Sequence, residues 1–211
     1  ENIANFAGGY RYDDDYLFIG DSSWILKDGT KTEISGVVFA GGTLYYTAGG
    51  RETTGTYTKE GGISITIDGT IYAPDKSGPA FTSEDEFNDA TVDSPEYTLT
   101  LPAADEAYTV TVLLNDARVT GSNGVYDFTL QNGANTVVVT AVDPVGNRTV
   151  KTFTLTADFV MPEITTSVTD AEVESAAYTF TASATDAAEF TVTLNGVAVS
   201  GENGSYTVTL S

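Results

Sequence analysis

The chain has 211 residues, with 30 acidic against 9 basic side chains, a formal net charge of −21, no cysteine and no histidine. That charge repels nucleic acid and anionic membranes, and it suits a cell-surface setting or divalent cations held by carboxylate and carbonyl oxygens. The missing residue types exclude disulfides, thiolate chemistry, a Ser-His-Asp arrangement and the commonest zinc ligand. No run approaches the roughly 18 apolar residues of a spanning helix, so no membrane insertion is expected.

Residues 1–77 hold about half of the aromatic side chains in little more than a third of the length, which sets them apart as a separate domain. Tyr16–Ile19, Ser23–Leu26, Val37–Ala40, Thr43–Thr47 and Ile63–Ile67 have strand composition. Asp28-Gly29, Gly41-Gly42, Gly49-Gly50, Gly61-Gly62 and Asp68-Gly69 punctuate them as turns. With no helical period of useful length, the pattern predicts a small antiparallel β barrel or sandwich that exits through Pro74, Asp75 and Gly78.

Residues 78–157 are more regular. Tyr97, Leu99 and Leu101 alternate with polar residues, as do Tyr108, Val110, Val112 and Leu114, and again Tyr126, Phe128 and Leu130. Each run places its apolar side chains on one face of a strand. Asn115-Asp116 is a two-residue hairpin signal, because both residues tolerate positive φ. Thr136–Val142 and Arg148–Leu155 flank the turn Asp143-Pro144-Val145-Gly146-Asn147. With Phe81–Thr82 as the first strand, these make a seven-strand sandwich, and Ser83–Glu96 is read as a solvated acidic run.

Residues Thr111–Leu130 recur 80 residues later as Thr191–Leu210, with about half of the positions identical. Asn195-Gly196 takes the place of Asn115-Asp116, and Pro162-Glu163-Ile164-Thr165 echoes Pro79-Ala80-Phe81-Thr82. Residues 158–211 therefore form a second module of the same kind, lacking the counterpart of the last two strands. A sandwich without them exposes sheet edges and part of its inner face. The expectation is a fragment of a longer protein, all-β, in which a small antiparallel barrel or sandwich is followed by two tandem Ig-like β-sandwich modules, the last incomplete.

These residues resemble bacterial Ig-like repeats of extracellular multidomain proteins. The resemblance rests on Val192–Val197, on Asn-Gly-x-Tyr at 203–206 and on Asn135–Asn147, and it covers about 130 residues. It implies spacers, adhesion stalks and accessory modules around polysaccharide-degrading enzymes. Gly55-Thr56-Tyr57 and Ile63–Tyr72 resemble small β-domains appended to bacterial glycoside hydrolases, without bringing any catalytic residue.

Two groups of candidate site residues emerge. Trp24 and Tyr45 are the preferred contacts for a sugar ring, since an exposed aromatic offers a flat apolar face with a polar edge. In Thr43–Thr47 alternation turns Leu44 and Tyr46 to one face and Tyr45 to the other. For metal, Asp13-Asp14-Asp15 lacks the spacing of an EF-hand and reads as a turn. Sandwich topology instead places the loop of Asp105 and Glu106, the loop starting at Asp143 and the linker residue Asp75 at one pole. If these carboxylates converge, a calcium ion would offset their repulsion and stiffen the junction; otherwise they are independent loop acids and no cofactor is expected.

The sequence points to a non-catalytic spacer or accessory region of a secreted or surface-attached bacterial protein, associated with carbohydrate processing. The alternative is a cell-surface adhesin or fibre stalk, with strand complementation by another chain. Expected partners are neighbouring domains, then a polysaccharide or a surface protein.

Overall fold

The computed structural model describes residues 1–170, 172–187 and 189–210. They divide into two compact units, Glu1–Ala157 and Asp158–Ser211. Both are built of strands, and no α-helix occurs among the described residues.

The first unit opens with eight antiparallel strands: β1 (Gly8–Tyr12), β2 (Asp15–Ile19), β3 (Trp24–Lys27), β4 (Thr30–Ala40), β5 (Thr43–Ala48), β6 (Arg51–Thr58), β7 (Ser64–Ile67) and β8 (Thr70–Pro74). They pair in chain order and close into a barrel where Tyr10 meets Pro74 and Arg11 meets Ala73. Short hairpins dictate this meander. Asp28 and Asp68 sit at φ 49° and 50°, each followed by a glycine at positive φ, the backbone that a tight turn between twisted strands requires. Alternation then fills the interior. Leu17 and Ile19 of β2, Leu44 and Tyr46 of β5 and Ile65 and Ile67 of β7 are buried, while Tyr45 stays 47% exposed. Phe6, at the end of a 3-10 turn (Ile3–Phe6), stacks on Phe39 with ring centroids 3.9 Å apart and so joins the core. Each such fully buried side chain contributes about 1.5–3 kcal/mol.

A sandwich follows in the same unit: β9 (Ala90–Val92), β10 (Glu96–Thr100), β11 (Thr109–Leu114), β12 (Ala117–Val119), β13 (Val125–Thr129), β14 (Gly133–Val142) and β15 (Arg148–Ala157). One sheet pairs β10 with β13; the other runs β12-β11-β14-β15-β9. Its entry differs from the expected one. Phe81 makes only an isolated bridge to Ala104, and the seventh strand is β9, which pairs in parallel with β15. The acidic run 83–96 is therefore partly structural. A 3-10 turn at Asp85–Phe87 buries Phe87 beside Phe81 and Phe153, at 4.9 and 6.2 Å between ring centroids. One apolar anchor among carboxylates outweighs the composition around it.

The second unit repeats part of this plan. It contains β16 (Glu163–Thr166), β17 (Ala177–Thr185), β18 (Val192–Leu194), β19 (Val197–Val199), β20 (Gly201–Glu202) and β21 (Ser205–Thr209). One sheet is β16-β17-β21-β20, and among the described residues β18 pairs with β19 alone.

Candidate metal centre between barrel and sandwich

Three chain segments deliver three acids to one place. Asp75 follows directly on β8, Glu106 lies in the connection from β10 to β11, and Asp143 follows directly on β14. One carboxylate oxygen from each lies within 4.8 Å of the others. Each acid is positioned by contacts of its own. Asp143 organises its turn: Oδ1 accepts the amides of Val145, Gly146 and Asn147 at 2.6–2.9 Å, and Oδ2 accepts Asn147 Nδ2 at 2.7 Å. Asn147 Nδ2 also donates to the Asp75 carbonyl at 3.3 Å, tying this loop to the linker. Glu106, its side chain only 1% exposed, accepts the Tyr16 hydroxyl on Oε2 at 2.8 Å and has Arg11 Nη1 at 3.3 Å from the same oxygen.

The remaining oxygens are unusual. Glu106 Oε1 and Asp75 Oδ2 are buried without a hydrogen-bond partner among the described residues. Burial without compensation disfavours the charged form. It raises the Glu106 pKa, against the Tyr16 hydrogen bond and Arg11. It also raises that of Asp75, with the Asp143 charge adding to the effect and the Ser77 amide and Arg11 opposing it. Tyr16 is pushed up by burial first and by its bond to Glu106 second. Arg11 is the cation facing this group of acids.

Asp105, grouped with these three by sequence, points elsewhere. Its Oδ1 accepts the Ala80 amide at 2.8 Å and its Oδ2 stands 3.6 Å from Arg11 Nη1, so it pins the linker instead of joining the cluster. Asp14 and Asp15 are likewise engaged separately, accepting the amides of Ala107 and Asp28. Asp13 supplies the positive φ of the β1–β2 turn. Trp24 and Tyr45 stand on strands separated by β4, opposite Glu33 and Val38. The Trp24 ring stacks on Phe18 at 5.8 Å and carries Lys31 Nζ 4.8 Å from its centroid.

Sequence reasoning missed Arg11, Tyr16 as a partner of Glu106, and Asn147. Arg11 lies on the outward side of β1, alternating with the inward Tyr10, and only the closed barrel aims it at the sandwich. The two bodies also touch sterically: a Cβ built on Gly9 would fall 2.5 Å from Val145 Cβ.

Residues 62–158 match the family model of the cadherin-like beta sandwich domain. The cadherin-like region thus takes in the last two barrel strands, the acidic linker and the whole sandwich. The matched stretch folds as the Ig-like β-sandwich that the repeats implied. No curated protein matches the chain. One solved structure, a Ca2+-stabilized adhesin with which an Antarctic bacterium binds ice, aligns at 18% identity with a TM-score of 0.27. That alignment covers 89% of this chain and 60% of the adhesin chain.

Proposed function

We propose that this chain is a non-catalytic stalk or adhesion module of a bacterial surface protein, in which a calcium ion holds the barrel against the cadherin-like sandwich. The observation that carries this reading is the pair of buried, unpartnered oxygens on Glu106 and Asp75, facing a third carboxylate. An acidic cluster alone is ordinary; two desolvated acceptors without donors require either a proton, towards which the raised Asp75 and Glu106 pKa values lean, or a cation. A separation within 4.8 Å fits inside the span of about 4.6–5.2 Å between oxygens on opposite sides of calcium. Asp75, Glu106 and Asp143 would supply the carboxylates, with water completing the six to eight oxygens that calcium takes. Extracellular calcium modules work at dissociation constants of about 10⁻⁴–10⁻³ M, so millimolar calcium is the concentration at which this site is tested.

This reading favours the adhesin or stalk alternative over an accessory role in carbohydrate processing, for which neither the junction nor the family match offers support. The chain lacks cysteine, so single cysteines at the exposed positions Glu52 and Arg118 can carry spin labels on barrel and sandwich. Millimolar calcium is expected to narrow the distance distribution between them and, at tenfold excess over Kd, to raise Tm by about 3–6 °C. Glu106→Gln, which keeps shape and removes charge, should abolish both effects. An unchanged distribution and an unchanged Tm in the wild-type chain would refute the clamp.

A further inference from the structure

The second unit has an apolar face whose occupant can be read from the first. A groove of 520 Å³ is lined by Phe180, Phe190, Val192, Leu194, Val208 and Leu210 among others. Ile164 is 67% exposed and Val197 70%. In the sandwich of the first unit, the counterparts of Val192 and Leu210 are Val112 and Leu130, and both are buried. The two half-sandwiches share their framework. Tyr97 pairs with Phe128 and Leu99 with Tyr126, as Tyr178 pairs with Val208 and Phe180 with Tyr206. Likewise β11–β12 matches β18–β19 residue for residue, with Val112 opposite Val119 and Val192 opposite Val199.

What covers the first half-sandwich is the hairpin β14–β15. It brings Val137, Val139, Ala141, Phe153, Leu155 and Ala157, all buried, and pairs with the free edge of β11 through Val112–Val139 and Leu114–Val137. Its docking is fixed by a polar latch. The Asn115 amide donates to the Thr136 carbonyl, its Oδ1 accepts the Thr136 amide, and its Nδ2 donates to Asn135, all at 2.8–3.0 Å. Asn195 repeats Asn115 at the same point of the same turn, with φ 51° against 49°. Among the described residues of the second unit, β18 has β19 on one edge and no strand on the other.

We propose that the face between β18 and the β17–β21 sheet is an acceptor for the closing hairpin of a repeat of this family, a valine-rich antiparallel hairpin led by Asn-Thr. It would lie in the register that sets its equivalents of Val139 and Val137 opposite Val192 and Leu194, latched by Asn195. The β-augmentation supplies main-chain hydrogen bonds, and alternate apolar side chains fill the groove. The proposal is independent of the calcium site.

The test uses a synthetic peptide of residues 131–157 as the hairpin, titrated into the full chain. One-to-one binding is expected, with amide exchange slowed at Val192–Leu194. The exposed-site variant Asn195→Ala should weaken binding about tenfold, and a peptide carrying Val139→Asp should not bind. A second arm fuses residues 131–157 after Ser211, which removes the cost of association; the same protection at 192–194 is expected. Absence of that protection in both arms overturns the proposal. So does concentration-dependent self-association of the unmodified chain through these residues, since a second copy would then be the occupant.

Discussion

Asp143 shows how one side chain can hold a loop and still serve a site. It accepts four hydrogen bonds within a five-residue turn and lies 4% exposed beside two other acids. Hydrogen bonds to a charged group contribute about 1.5–3 kcal/mol each at most, and they are not additive. Asp143→Ala is therefore expected to lower the unfolding free energy of the first unit by about 2–4 kcal/mol, measured by urea denaturation in EDTA, with the m-value unchanged. Much of this was legible in advance. An Asp before Pro-Val-Gly-Asn is a turn signal, and sandwich connectivity places that turn at the pole where the linker arrives. The donors were not legible: Arg11 and Tyr16 reach Asp105 and Glu106 from 94 and 90 residues away, a pairing created only by the docking of two bodies.

At the scale of elements, alternation and turn residues carried most of the information. The strands of the barrel fall where Asp-Gly and Gly-Gly pairs divide the apolar runs, because period two and positive φ act locally. What escaped was β9 and the 3-10 turn before it. A three-residue strand in parallel pairing has no signature of its own, and Phe87 is a single aromatic residue in an acidic stretch. Another element-scale feature is steric. β1 must carry no side chain at residue 9, where Val145 packs against the strand. Gly9→Ala should destabilise the first unit by about 1–3 kcal/mol in thermal melts; Val145→Ala in the same chain leaves the Cβ in place and should recover only part of the loss, and Val145→Gly more of it. Recovery would locate the cost at this contact; its absence would place it in β1 itself.

For the whole molecule, charge dominates. With a net charge of −21, folding gathers acids that the unfolded chain keeps apart. Asp75 and Glu106 have pKa values raised in the folded state, so each binds its proton more tightly folded than unfolded. Their contribution is fully present below the unfolded values near 3.8 and 4.5, and it is lost as pH rises through the folded ones. In EDTA, Tm should fall as pH climbs from about 4 towards neutrality, and Glu106→Gln should fall less steeply. Calcium should flatten the wild-type slope, since a bound cation replaces the proton. A wild-type curve that rises over this range would show that other carboxylates control the balance.

The barrel's closure also has a mechanical side. β1 and β8 are antiparallel neighbours, so the chain enters and leaves the barrel at the same end of one seam, with Tyr10 beside Pro74 and Asp75 just outside. Tension between those two points peels the seam open one rung at a time instead of shearing all rungs together. Asp75 stands at the mouth of that zipper. Anything that anchors it to Glu106 and Asp143 carries the load past the first rung and into the sandwich, turning the weakest direction of a small barrel into one that resists flow and drag.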